Sequence, residues 1–195
     1  LFSRAFELMV EDGSLKVLKI LSRASAIIAE GEVAQLTAQR QIETREDTYL
    51  HIIEAKTAAL FAAACRIAPV VAEAGEEAED ALGSFGRNLG IAFQLVDDAI
   101  DYTSEQATSG KDLGDDFREG KMTLPIILAY ARGSDEDRRF WREAVGGDRT
   151  GDEDLAHAVA LLKKTAAISE TLERARTYAR RALDALAPFP AGKAK

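Results

Sequence analysis

The chain has 195 residues, of which 47 % are hydrophobic and only 4 are proline, a composition that argues for a folded, mainly helical protein over a disordered one. A formal net charge of −8 argues against nucleic acid as the principal partner, although a local basic pocket remains compatible with it. The single cysteine, Cys65, excludes an intrachain disulfide framework and makes a reducing cytoplasm the natural setting.

Apolar residues recur at helical spacing almost throughout, and no alternating strand pattern persists. The first expected helix runs from Leu1 to a stop near Gly13, and a longer one follows Ser14 through SLKVLKILSRASAIIAEGEVAQL. Thr44-Arg45-Glu46-Asp47 resembles a capping box opening YLHIIEAKTAALFAAACRIA, with Pro69 bending or ending that helix. Within it Cys65 reads as a small buried residue. The next helix covers Glu76 to about Tyr102, followed by a polar loop, TSEQATSGKDLGDDFREGK. Helical pattern resumes in LPIILAYAR after Pro125, then in Ser134 to Val145, Asp152 to Lys163 and Thr165 to Ala187, giving about eight helices by pattern. No internal repeat, linker or bilayer-length apolar run interrupts this order, and the expectation is one all-α domain. The chain opens with Leu1 inside an amphipathic stretch, LFSRAFELMV, and reads as one cut from a longer chain.

FQLVDDAIDY, residues 93 to 102, sets Asp97, Asp98 and Asp101 among apolar neighbours. At four-residue steps Gly86, Gly90, Gln94 and Asp98 form one stripe, with Asp97 and Asp101 beside it. Leu89, Phe93, Val96 and Ile100 make a second sector, and Ile91, Leu95 and Tyr102 a third. A helix apolar on two sectors is expected to be surrounded by others, so the acidic stripe should face a cavity. Like charges one turn apart cost roughly 0.2–0.5 kcal/mol per pair even on an exposed helix, and a cation relieves that cost. Oxygen-only ligands select a hard ion such as Mg²⁺, which commonly bridges to phosphates. His51 and His157 are far apart in sequence and read as surface or packing residues, which disfavours zinc. The two glycines are expected to leave room alongside the carboxylates for an ion and a bulky anion.

Cations occur where such an anion would need them. GKDLGDDFREGKMTLP carries Lys111 and Lys121 amid Gly110, Gly114 and Gly120, whose bare backbone can approach an anion closely. Lys56 and Thr57 stand in EAKTAALF on an apolar helix, where a lysine either reaches the surface or meets an internal anion. Acids and lysines together describe a diphosphate held by Mg²⁺ and ammonium groups.

KTAALF, GxxxGxxFQLVDDxxDY and GKxxGxDFxEGKxTLP, in that order and spacing, resemble the trans-isoprenyl diphosphate synthases, the helical prenyltransferases. The second and third blocks resemble that family's second aspartate-rich motif and its lysine loop. LFSRAFELMVEDGSLKVLKILSRAS and EGEVAQL are most similar to the long-chain polyprenyl branch, octaprenyl to decaprenyl synthases that make quinone (ubiquinone) side chains.

The resemblance implies an all-α helical bundle of the isoprenoid synthase type around a central cavity. It implies that Asp97, Asp98 and Asp101 hold Mg²⁺ and that Gln94 orients groups near the diphosphate. Lys56 and Lys111 would bind the allylic diphosphate, with Thr57 and Lys121 as supporting contacts. The implied reaction condenses an allylic prenyl diphosphate with isopentenyl diphosphate, in a homodimeric, cytoplasmic enzyme that is membrane-peripheral because its product is a lipid. That family carries a first aspartate-rich cluster, followed by paired arginines, which would lie upstream of Leu1. Residues 1–195 are therefore expected to be the C-terminal two-thirds of one such domain, inactive alone. A non-catalytic subunit that dimerises with an active synthase, and a class I terpene cyclase, are the two other classes compatible with these motifs.

Overall fold

The computed structural model describes residues 2–103 and 113–192; Lys111 and Gly110 lie outside them. Among the described residues every regular element is helical. Helix α1 (Phe2–Asp12) ends before Gly13, and Ser14 caps α2 (Leu15–Ala38) by accepting the Val17 N–H at 3.3 Å. The chain then turns through α3 (Glu46–Ile53), a single π-helical turn (Glu54–Ala58) and α4 (Ala59–Val71). Helix α5 (Glu76–Ile100) packs between α4 and α10 (Ala167–Ala185). Helices α6 (Asp115–Glu119), α7 (Leu124–Arg132), α8 (Asp135–Gly146) and α9 (Asp152–Lys164) complete the order.

The core forms where α5 meets the C-terminal helices. Leu95, Phe117, Leu124, Ile126, Trp141 and Leu162 have essentially no solvent exposure. The first six residues of α7, Leu124 to Ala129, are buried, which explains why that part of LPIILAYAR carries no polar face. Pro125 sits in its first turn, where a missing N–H costs nothing.

Several expectations need correction. Thr44 is not a cap: its hydroxyl donates to the Gln41 carbonyl at 2.7 Å, and Arg45 occupies the N-cap position of α3 without a side-chain bond. Glu46 and Asp47 instead favour that terminus by charge. The single long helix expected from Tyr49 onward is interrupted by the π turn, and its last part, α4, runs two residues beyond Pro69. Cys65 is half-buried, not buried. The stretch read as one loop contains α6, bracketed by Gly114 and Gly120, both left-handed at φ 78° and 68°. These glycines start and stop a short helix, a conformation that side chains with a Cβ resist. Ala166 takes the left-handed region as well, at φ 55°, so α10 begins two residues later than expected.

On α5 the third sector is buried as expected, with Ile91, Leu95 and Tyr102 all enclosed. The second is not: Leu89, Phe93 and Ile100 are 37 %, 55 % and 43 % exposed. Periodicity reports which face is apolar, not what covers it. No helix among the described residues is long and apolar enough to cross a membrane.

Candidate active site

The upper half of the α5 stripe does not open space. A Cβ on Gly86 would lie 2.4 Å from the Phe61 carbonyl oxygen, and one on Gly90 would lie 2.6 Å from Ala58 Cα. The expected room beside the glycines is filled by α4 and the π turn, so these residues serve close helix approach. One turn further on the stripe does reach a cavity. Gln94, Asp97 and Asp98 line it together with Lys56, Thr57, Tyr49, Gln35, Asp116, Lys121 and Thr123. Its volume is about 270 Å³, and Ile52, Ile53 and Met122 supply apolar wall.

Lys56 and Thr57 reach the cavity from the π turn. The Ala59 N–H bonds the Glu54 carbonyl, five residues back, so one extra residue is accommodated and the side-chain register shifts locally. Gly31 of α2 lets the two backbones touch here, since a Cβ on it would lie 2.7 Å from Lys56 N. Arg87 of α5 grips Glu54 with two bonds of 2.7 and 2.8 Å, pinning the start of the turn. The Lys56 ammonium is held by the Gln35 carbonyl oxygen at 3.1 Å and by Glu32 at 3.3 Å. Thr57 donates to Gln94 Oε1 at 2.9 Å.

The carboxylates differ from one another. Asp98 is buried, and both its oxygens are engaged: Tyr49 donates to Oδ2 at 2.6 Å and Gln94 Nε2 to Oδ1 at 2.8 Å. Burial raises its pKa to about 7, against the lowering effect of those two bonds. Burial likewise pushes the Tyr49 hydroxyl well above its usual value, with the Asp98 charge adding to it. Asp97 is half-buried beside the same cavity, with Gln94 Nε2 at 3.4 Å. Asp101 accepts the Asp116 backbone N–H at 3.2 Å, and its pKa rises to about 6 through burial and the nearby Asp116 charge.

Lys121 follows Gly120 and projects into the cavity, bound to Asp116 at 2.8 Å and Glu119 at 2.7 Å. Burial opposes its charge, but the Asp116 and Glu119 carboxylates outweigh that and raise its pKa. Of the eight expected site residues, Lys56, Thr57, Gln94, Asp97, Asp98 and Lys121 line one cavity, Asp101 stands at its edge through Asp116, and Lys111 lies outside the described residues. Tyr49, Gln35, Glu32 and Asp116 were not anticipated. Two of them carried a usable signal: Tyr49 lies seven residues before Lys56, and Asp116 is the aspartate of the GxDF stretch in the lysine loop.

Among the described residues no three acidic, histidine or cysteine side chains converge as a preformed metal cage. The anionic donors here are carboxylate oxygens, and neither histidine nor cysteine lines the cavity. That set fits Mg²⁺, which keeps several waters and takes one or two carboxylates, and does not fit zinc. His51 and His157 are both exposed, the latter edge-on to Phe140 at 4.5 Å.

A family model described as polyprenyl synthetase matches residues 1–162. The chain belongs to the polyprenyl synthetase family. It is 39 % identical over 197 residues to octaprenyl diphosphate synthase of Haemophilus influenzae, covering 100 % of this chain and 59 % of that one. It is 40 % identical over 190 residues to the geranyl-diphosphate-specific all-trans-nonaprenyl-diphosphate synthase of Rhodobacter capsulatus, covering 97 % and 58 %. Among solved structures, a Caulobacter crescentus polyprenyl synthase complexed with calcium and isoprenyl diphosphate superimposes with TM-score 0.95 at 49 % identity, over 98 % of this chain and 58 % of that one. A decaprenyl diphosphate synthase from Rhodobacter capsulatus gives 0.90 at 44 %, over 98 % and 59 %. The chain thus spans just under three-fifths of the length of these polyprenyl synthetase relatives. The helical bundle around a polar cavity is the isoprenoid synthase fold of that family.

Proposed function

We propose that this chain carries part of the active site of a Mg²⁺-dependent prenyltransferase that condenses an allylic prenyl diphosphate with isopentenyl diphosphate to make a long-chain polyprenyl diphosphate. The observation that carries this reading is the convergence of Lys56, Thr57, Gln94, Asp97, Asp98 and Lys121 on one cavity. The long-chain product is supported by the octaprenyl and nonaprenyl synthases among its relatives.

In this reading the protein stabilises charge on a departing diphosphate more than it performs covalent chemistry. Asp97, Asp98 and Asp101 would hold Mg²⁺, which would supply the charge neutralisation that a diphosphate leaving group needs. The Lys56 and Lys121 ammoniums meet the diphosphate oxygens by exchanging their present partners, Glu32 and Asp116, for stronger anions. Ile52, Ile53 and Met122 keep water from the allylic cation formed when the C–O bond breaks. The double bond of isopentenyl diphosphate then attacks that cation and a proton leaves, extending the chain by one isoprene unit. Lys111 is proposed as a further diphosphate contact.

A homodimer is part of the same reading. Leu8 and Val10 of α1, with Leu15, Val33 and Leu36 of α2, are 51–82 % exposed, a larger apolar display than isolated surface residues need. The test of function is incorporation of labelled isopentenyl diphosphate into extractable lipid, with farnesyl diphosphate and Mg²⁺. Residues 1–195 alone are expected to give no product and the full-length protein long polyprenyl products; a full-length protein that binds these substrates without turnover rejects the catalytic reading.

A further inference from the structure

Four side chains from three separate elements form one chain of hydrogen bonds that converges on Asp98 at the cavity wall. Tyr49 of α3 donates to Asp98 Oδ2 at 2.6 Å, Gln94 donates to Asp98 Oδ1 at 2.8 Å, and Thr57 of the π turn donates to Gln94 Oε1 at 2.9 Å. The direction of each bond follows from what the groups can do. With the Tyr49 hydroxyl on Oδ2, Asp98 presents Oδ1 as an acceptor, and Gln94 offers its NH₂ there. Its carbonyl oxygen is then left facing Thr57, and the Thr57 proton is committed to it. Thr57 consequently meets the cavity with lone pairs and not with its proton.

The anchor of this chain is Tyr49. Its ring is 2 % exposed, fixed among core residues, and its hydroxyl is the donor to Asp98 that comes from outside α5. Gln94 lies on the same helix as Asp98, one turn away, and cannot by itself fix the carboxylate relative to α3.

We propose that Tyr49 is a positioning residue of the diphosphate site, acting through Asp98 to set the orientation of the Gln94 amide and the Thr57 hydroxyl. This rests on the reading of the cavity as a diphosphate site. Tyr49 touches no reacting atom. Its part is to hold the Asp98 carboxylate where it accepts the Gln94 NH₂, so that Gln94 accepts the Thr57 proton and Thr57 presents lone pairs to a cation in the cavity.

The test uses Tyr49→Phe, which removes one oxygen and keeps the buried ring, and Asp98→Ala, which removes the acceptor. In proton NMR of the wild-type protein, a downfield, slowly exchanging tyrosine hydroxyl resonance is expected, absent from both variants. The Gln94 side-chain amide resonances should shift in both. In turnover assays of the full-length protein Tyr49→Phe should lower kcat about tenfold, the scale of losing one hydrogen bond to a charged group, with KM for the allylic diphosphate within about threefold. The double variant should be no slower than Asp98→Ala alone, because both changes remove the same step. An unmoved Gln94 amide in Tyr49→Phe, or losses that multiply in the double variant, overturns the proposal. If the full-length wild-type protein shows no condensation, the prenyltransferase reading fails, and the resonances still decide whether Tyr49 sets Gln94 and Thr57.

Discussion

Gly90 of α5 lies against Ala58 of the π turn so closely that a Cβ on Gly90 would come within 2.6 Å of Ala58 Cα and 3.0 Å of its Cβ. Both atoms belong to or adjoin backbone, so neither can swing aside. This contact joins the helix that bears the aspartates to the turn that bears Lys56 and Thr57.

Gly90→Ala should therefore destabilise the protein by about 1–3 kcal/mol through overpacking, a fall in Tm of roughly 3–10 °C. It should also stretch the 2.9 Å bond between Thr57 and Gln94, lowering activity at temperatures where the variant is fully folded. Gly83→Ala is the control: its Cβ would meet only the Arg66 side chain at 3.7 Å, so helix propensity should leave it neutral or slightly more stable. Thermal unfolding of both variants, followed by far-ultraviolet circular dichroism, separates packing from propensity. Equal Tm values would mean that the contact does not constrain the fold.

Asp97→Ala should separate activity from stability. Removing one of several neighbouring carboxylates relieves repulsion, so Tm should stay equal or rise. Prenyl transfer by the full-length protein should fall by roughly a hundredfold or more, as expected for one key electrostatic group. A variant with full turnover, or one that no longer folds, contradicts the role assigned to Asp97.

The Asp137–Lys164 pair links α8 to the end of α9 and gives a pH dependence whose sign is fixed. Lys164 lies 2.8 Å from Asp137 Oδ2, and the Ser134 N–H donates to the same oxygen at 3.0 Å, completing a capping box. Lys164 first, then the Ser134 N–H, lower the Asp137 pKa to about 2. Because that lies below the unfolded value of roughly 3.9, the contribution is complete above about pH 5 and is lost as pH falls through about 2. Its size should be about 1–2 kcal/mol once screening at the 60 % exposed Lys164 is allowed for. Asp137→Asn keeps the cap and deletes the charge. Urea midpoints for the two proteins should differ near neutrality and converge toward pH 2; a gap that persists at acid pH would point to packing.

The exposed apolar residues of α1 and α2 lead to a concentration-dependent expectation. Sedimentation at micromolar concentration should report twice the chain mass. Val10→Glu together with Val33→Glu should shift the population toward monomer without loss of helix content. A wild-type monomer under these conditions removes the dimer from the proposal.

Much of this protein is determined locally. Helical period, the glycine stops and Ser134 with Asp137 specify an all-helical chain without reference to any distant residue, and the aspartates and lysines stand out by type and spacing. What local pattern cannot carry is which partners those residues meet. Gly86 and Gly90 share the stripe of Gln94 and Asp98, yet the first pair is closed by α4 and the π turn while the second opens on a cavity. Asp97 and Asp98 are adjacent and chemically identical, but only the tertiary structure brings Tyr49 onto Asp98 and buries it. The π turn shows the same limit, since EAKTA has ordinary helix-forming residues. Its extra residue is tolerated because Gly31, Gly90 and Arg87, from two other helices, close around it. Propensity and period are properties of one segment; approach, burial and the sharing of hydrogen bonds belong to pairs of segments, and those exist only once the chain has folded.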